Sequence, residues 1–279
     1  MRYRMLALDL DGTVLDPYGA LTDGVRRAVT TAREHGLRVV LCTGRRYRTA
    51  LPHAVDLGLD GPIVVHNGVL VKDIASGETR EHRYLPAEIR PEILSIIREA
   101  GTPLFYVDDV GDGIDLFTER EESAHPYQRE YLAEAAIDNC QIVDDVGSVE
   151  RHDVVMITTM GDAKTLKKLR ENTGRSLGER VKNHSIINKN FQGEILEFLA
   201  PGVSKWAALE SVARAEGIRR FEIAAVGDDT NDVEMLHNAG LGIAMGNAVR
   251  AAKSASDLVV RSNAEGGVIE AIERVILKS

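Results

Sequence analysis

Four short segments of the 279-residue chain bring together residue types that can do chemistry. Asp9-Leu10-Asp11-Gly12-Thr13 sets two carboxylates two residues apart, beside a glycine and a hydroxyl. Gly227-Asp228-Asp229-Thr230-Asn231-Asp232 adds three carboxylates and an amide. Thr43-Gly44-Arg45 offers a hydroxyl and main-chain N–H groups, and Lys205, after Gly202-Val203-Ser204, a point charge. Carboxylates gathered in one crevice repel one another and take up protons unless a cation intervenes. A hard divalent cation resolves the repulsion, and Mg²⁺ binds through a few carboxylates plus phosphate while keeping several waters. Thr43, Lys205 and the N–H of Gly12, where the chain can turn close to an oxyanion, would then hold the anion. Any one aspartate reads equally well as a helix cap or turn former, and for Asp229 both readings stay open. Lys205 taken alone reads as a solvated surface residue. A lysine in a first helical turn nevertheless opposes the helix dipole, and a bound anion would account for it.

These segments need strands to deliver them. Met5–Leu8, Val39–Cys42 and Ile63–Val65 are short and apolar on both faces, the pattern of parallel strands buried between helix layers. Between the first two, Val25, Ala28, Val29 and Ala32 recur at helical spacing, with Thr22 as N-cap and Gly36 as stop. A second helix is expected over Tyr47–Leu57. The same grammar returns in helix Ser204–Glu216, in strands Ile223–Val226, Leu241–Ala244 and Leu258–Val260, and in a last helix, Glu265–Leu277. The chemical segments follow the first, second and fourth of these strands. In an open parallel sheet ligands bind beyond the carboxyl ends of the strands, so all three would face one crevice.

The middle of the chain reads differently. Ser76-Gly77 signals a hairpin between Val69–Lys72 and Thr79–Tyr84. Strand-like runs at Leu104–Val107, Ile114–Thr118, Val154–Thr159, Ser185–Asn188 and Ile195–Leu199 mix with helical patterns at Glu88–Ala100 and Asp162–Thr173. That mixture fits an α+β module with an antiparallel sheet. The expectation is an α/β protein: a doubly wound parallel-sheet core from residues 1–83 and 199–279, with residues 84–198 inserted as a second domain.

Composition excludes some function classes. With 34 Lys plus Arg against 43 Asp plus Glu and a net charge of -9, no basic stripe for nucleic acid is expected. No apolar run is long enough to span a membrane, and two cysteines make no disulfide framework. A cytoplasmic protein acting on a small molecule is expected. The eight histidines form no zinc-type motif. Cys42 reads as a small buried strand residue, His66 as structural, and Arg46 and Arg48 as a solvated face. Arg45 either meets substrate or pins its loop. Asn188, Lys189 and Asn190, the acidic stretch at 107–110 and Asp144-Asp145 read as surface turns.

In order and placement the four segments resemble the motifs of the haloacid dehalogenase superfamily. Asn67-Gly68, Glu197 before Pro201, Gly202-Val203-Ser204-Lys205 and Met245-Gly246-Asn247-Ala248 are similar to its Cof-type phosphatases. The resemblance spans the whole chain; Trp206 departs from it, since relatives carry a small residue after the lysine. It implies a cap domain between the second and third motifs that covers the crevice and sets specificity. It implies Asp9 as nucleophile and Asp11 as acid and base. It implies Mg²⁺ on Asp9, the Asp11 main-chain carbonyl, Asp228 and Asp232. It implies Gly12, Thr43, Gly44 and Lys205 around the phosphoryl group, with Asn231 orienting them. The implied activity is Mg²⁺-dependent hydrolysis of a small phosphate monoester. A phosphomutase on the same core, and a phospho-acceptor signalling module, stay open as alternatives. A halide leaves without a proton, so the second acid at Asp11 sets dehalogenation aside.

Overall fold

The computed structural model describes residues 2–109, 113–119, 124–135, 138–188 and 193–278. It separates into two units, Met1–His82 with Val203–Ser279, and Arg83–Gly202.

The first unit opens with β1 (Met5–Leu8), α1 (Asp23–Glu34), β2 (Arg38–Leu41), α2 (Tyr47–Asp56), β3 (Pro62–Val65), β4 (Leu70–Asp73) and β5 (Thr79–His82). Thr22 caps α1, its hydroxyl accepting from the Val25 N–H, and Val25, Ala28, Val29 and Ala32 form the buried stripe that their spacing predicts. β1 and β2 are buried on both faces, as their unbroken apolar runs require.

The second unit holds α3 (Arg90–Arg98), β6 (Leu104–Val107), β7 (Leu116–Thr118), α4 (Pro126–Ala135), β8 (Cys140–Ile142), β9 (Val154–Gly161), α5 (Ala163–Ser176), β10 (Lys182–Asn188) and β11 (Gly193–Leu199). Its sheet runs β10-β11-β9-β6-β7-β8. Pairing is antiparallel except for β7 with β8. Phe105, Ile157, Leu196 and Phe198 on the sheet pack with Ile93 and Ile97 of α3 and Leu166 and Leu169 of α5. α4 and β8 have no counterpart in the sequence expectations. β8 is only three residues long and largely exposed, so it carries no clear apolar alternation. Lys189, Asn190 and Val110 lie outside the described residues.

The chain returns to the first unit with α6 (Lys205–Ala215), β12 (Ile223–Gly227), α7 (Val233–Asn238), β13 (Leu241–Ala244), α8 (Arg250–Ala255), β14 (Leu258–Val259) and α9 (Gly267–Glu270). The expected last helix changes its winding at Ala271, continuing to Ile276 as a π-helical segment. The main sheet is parallel in the order β14-β13-β12-β1-β2. From β1 the chain steps outward to β2, and from β12 it steps the other way to β13 and β14. The order therefore reverses between β1 and β12, where a doubly wound sheet opens its crevice.

One expected core strand is placed differently. β3 pairs antiparallel with β4, in a three-stranded sheet β3-β4-β5. Its tie to β2 is a single parallel bridge, Cys42 to Val64. The hairpin competes for β3 because Ser76-Gly77 closes β4 onto β5 and β4 pairs back along the whole of β3.

Candidate active site

β1 and β12 pair in register, Leu8 beside Val226, and the Asp9 N–H donates to the Val226 carbonyl. Asp9 thus leaves the sheet beside Gly227, one residue before Asp228. After Asp9 the chain abandons strand geometry and winds through Leu10–Val14, with Gly12 at φ 78°. The strand period of two no longer holds there, so the two carboxylates of the first segment diverge. Asp9 is buried, whereas the Asp11 side chain is 56% exposed. Arg45 grips Asp11 with both arms, Nε to Oδ2 at 2.8 Å and Nη2 to Oδ1 at 2.6 Å. His53 Nε2 lies 3.1 Å from Arg45 Nη1. Arg45 therefore pins its loop to the Asp11 carboxylate, the second of its two open readings.

Lys205 is the first residue of α6, behind the cap Ser204, whose hydroxyl accepts from the Ala207 N–H. Side chains on a helix lean toward its N-terminus, so a lysine in this position reaches past the helix end. It is 1% exposed, and Nζ donates to Asp9 Oδ1 at 2.6 Å and Asp232 Oδ1 at 2.7 Å. The surface reading of Lys205 is overturned: two carboxylates offset the unfavourable helix dipole. Trp206 beside it is buried, and the helix start forms normally around it. Arg46 is corrected in the same way, buried rather than on a solvated face.

Asp232 is held from behind. Its Oδ2 accepts from the N–H groups of Asp228 and Asp229, at 2.9 and 3.0 Å. A Cβ at Gly227 would fall 2.6 Å from the Asp232 carboxyl carbon, so glycine there admits that side chain. Asp229 has the modest role open to it, accepting from the Thr230 N–H. Asp228 accepts from the Thr13 hydroxyl at 3.0 Å and from Asn247 Nδ2 at 3.3 Å. Asn247 also donates to the Gly12 carbonyl at 2.8 Å. Thr13 and Asn247 both stood in quoted motifs but carried no role. Their work is to orient another side chain, and no spacing rule reports that.

Carboxylate oxygens of Asp9, Asp228 and Asp232 all lie within 4.8 Å of one another, and all three residues are buried. Burial, then Asp232, raises the Asp9 carboxyl well above its usual range, with Lys205 acting the other way. Burial and Asp232 likewise raise Asp228 to about 6. Burial pulls the Lys205 ammonium down, but Asp232 and Asp9 outweigh it and keep the lysine charged. With all three carboxyls ionised, the group with its one ammonium carries a formal excess of two negative charges, which one divalent cation balances and which proton uptake by Asp9 and Asp228 otherwise relieves. The donor set, all oxygen, fits a hard cation.

The Thr43 loop closes against a strained turn. The Thr43 hydroxyl accepts from the Arg45 N–H at 3.1 Å, which leaves its proton for another partner. The Thr43 carbonyl accepts from the Asn67 N–H, and the Arg45 carbonyl from that of His66. Asn231 Nδ2 donates to Asn67 Oδ1 at 2.9 Å. His66 is buried and holds the structural place expected of it, and Cys42 is a buried strand-end thiol raised by that burial.

The sequence and the fold have known counterparts. Residues 6–272 match the family of haloacid dehalogenase-like hydrolases. YxeH of Bacillus subtilis (strain 168) is 29% identical over 279 residues, covering 99% of each chain. The pyridoxal phosphate phosphatase YbhA of Escherichia coli (strain K12) is 27% identical, covering 98% of each. A haloacid dehalogenase-like hydrolase from Bacteroides thetaiotaomicron has a TM-score of 0.82 at 28% identity, covering 98% of this chain and 100% of its own. Among the described residues no helix is long and apolar enough to cross a membrane.

Proposed function

The chain belongs to the haloacid dehalogenase-like hydrolases, and on that premise we propose that it is a Mg²⁺-dependent phosphatase of a small phosphate monoester. The observation that carries the reading is the buried group of Asp9, Asp228, Asp232 and Lys205, two negative charges in excess, at the sheet's switch point. The phosphatase name of the E. coli relative, for pyridoxal phosphate, suggests the class: a compact metabolite bearing one phosphate.

The residues divide the work. Lys205, itself held by Asp232, fixes Asp9 Oδ1 and leaves the other oxygen of Asp9 for the substrate. Asp9 attacks phosphorus; the new bond is aspartyl oxygen to phosphorus, and the bond to the leaving alcohol breaks. Asp11, released from Arg45 and protonated from solvent, gives that proton to the alcohol and regains one from the water that attacks the aspartyl phosphate, so it ends the cycle as it began. Inorganic phosphate leaves and the Asp9 carboxylate is restored. Thr43, Lys205, the N–H of Gly12 and the loop at Gly44 receive the phosphoryl oxygens, and Asn231 braces them. Asp9, Asp228, Asp232 and the Asp11 main-chain carbonyl would hold Mg²⁺, which supplies charge neutralisation at the phosphoryl group.

The test is phosphate release from a panel of small esters, including pyridoxal phosphate, sugar phosphates and an aryl phosphate, with Mg²⁺ and with chelator. Metal-dependent release is expected. Release that chelator leaves untouched removes the cation from the reading, and no release from any ester removes the phosphatase.

A further inference from the structure

Among the described residues, only His66 and Asn67 combine a side chain with a left-handed backbone, at φ 50° and 57°, and Gly68 follows at φ 96°. Two side-chain-bearing residues in a row in this region are strained, whereas Gly68 adopts it freely, and strain of this kind persists where surrounding contacts over-determine it. The contacts here belong to the site. Asn67 and His66 donate to the carbonyls of Thr43 and Arg45. A Cβ at Gly68 would fall 2.1 Å from the Ser204 carbonyl oxygen, so the turn lies against the start of α6, where Lys205 emerges. The Asn67 amide meets Asn231 and rests on Gly44, whose Cβ position lies 2.9 Å from Asn67 Oδ1 and 3.5 Å from Nδ2. One buried turn therefore touches the Thr43 loop, the Lys205 helix and Asn231.

The Asn231 amide is only half used. Its Nδ2 donates to Asn67, while its Oδ1 is buried with no hydrogen-bond partner. A buried acceptor without a donor is unfavourable, and an acceptor beside a phosphoryl group faces the wrong way. The two ends of an amide have the same shape, so a half-turn about its last bond exchanges them.

We propose that Asn67 is a positioning residue that sets which end of the Asn231 amide meets the phosphoryl group. The proposal rests on the phosphatase reading for the identity of the anion. When phosphate enters, both amides turn together. Asn67 Nδ2 then donates to Asn231 Oδ1, the orphaned oxygen gains a partner, and Asn231 Nδ2 donates to a phosphoryl oxygen. Gly44 has no side chain to obstruct the Asn67 amide. The turn is held left-handed so that this amide stands between Gly44 and Asn231.

Two substitutions separate this role from a merely structural one. Asn67→Asp keeps the oxygen that accepts from Asn231 Nδ2 but cannot donate, so it locks the unloaded orientation. Asn67→Gly removes the amide and relieves the backbone. The readouts are KM and kcat for an ester, the orthophosphate dissociation constant in Mg²⁺ by calorimetry, and the thermal midpoint without metal. Asn67→Gly is expected to melt at or above wild type yet to weaken KM and orthophosphate binding about tenfold, with kcat changed less. Asn67→Asp is expected to weaken both by about a hundredfold, most of which vanishes in an Asn231→Ala background. Wild-type binding in Asn67→Asp, or an equal loss with and without Asn231, overturns the proposal. A wild-type protein that binds orthophosphate but hydrolyses no ester removes the phosphatase reading alone, since the binding cycle still decides Asn67. A wild-type protein that binds no orthophosphate removes both.

Discussion

Replacing Lys205 with methionine isolates the electrostatics of the site. The two side chains are similar in volume, so packing should change stability by less than about 1.5 kcal/mol. The charge change is much larger. Lys205 is 1% exposed and bonds Asp9 at 2.6 Å and Asp232 at 2.7 Å, and both partners are buried. Removing one member of a buried ion pair costs about 3–5 kcal/mol, because the other charge stays behind. Here three carboxylates stay behind, within 4.8 Å of one another. Without metal at neutral pH, Lys205→Met should therefore lose at least about 3–5 kcal/mol. The deficit should shrink as pH falls toward and below about 6, where Asp228 takes up its proton and Asp9, also raised, follows the same direction. A carboxyl whose folded pKa is raised binds its proton more tightly in the folded state, so acid favours folding at these positions. Mg²⁺ should restore much of the loss, about 2.7 kcal/mol at a hundred times its dissociation constant. The variant should bind the cation more tightly than wild type while losing about 10²–10³ in kcat. Trp206, the single tryptophan, is buried beside the substituted position, so its fluorescence during urea unfolding reports this unit directly. A metal-free Lys205→Met as stable as wild type at pH 7 would refute the account of three carboxylates dependent on one ammonium.

Three further expectations concern neighbouring residues. Asp9→Asn should lower turnover by at least about 10⁴-fold while leaving the metal-free protein as stable as wild type or more so, since it removes a buried charge that burial already disfavours; a smaller loss of turnover in a purified variant sinks the nucleophile role. In Gly12→Ala the new Cβ would sit 2.2 Å from Asp228 Oδ2 in a backbone at φ 78°, so Mg²⁺ affinity should fall about 10–100-fold by calorimetry, and an unchanged affinity counts against Asp228 as a ligand. His66 is held neutral, its pKa pushed down to about 3 by burial and then by Arg46 and Lys72. Its contribution is complete above the unfolded value near 6.5 and is lost as pH falls from there toward 3, on the order of a few kcal/mol. His66→Asn, which tolerates the same backbone, should flatten the stability profile across that window, and an unchanged acid limb in urea titrations would contradict the buried-histidine account.

Much of the first unit could be read from one dimension. Strands buried on both faces announce themselves as unbroken apolar runs, and Thr22 with its apolar stripe marks α1 because helix periodicity is local. The carboxylates, the Thr43 loop and Lys205 were visible because each follows a strand or opens a helix, and sheet topology sends such segments to one edge. β3 escaped this logic: its apolar run suits either sheet, and only the hairpin pairing with β4 decides between them. α4 carries too weak an apolar periodicity, and β8 too few residues, to be read from the sequence.

Residue types and their order were enough to imply a parallel α/β core, an acidic crevice and a cation to neutralise it, because charge and strand-end placement are properties of the chain itself. The partners were not. That Asp9 turns inward to Lys205 while Asp11 turns outward to Arg45 depends on the winding at Leu10–Val14 and on residues 196 and 34 positions away. That Lys205 is buried, that Thr13 and Asn247 brace Asp228, and that a strained Asn67 meets Asn231 are long-range contacts. A side chain's protonation and direction follow from what the fold packs against it, and those neighbours are brought together only when the sheet closes.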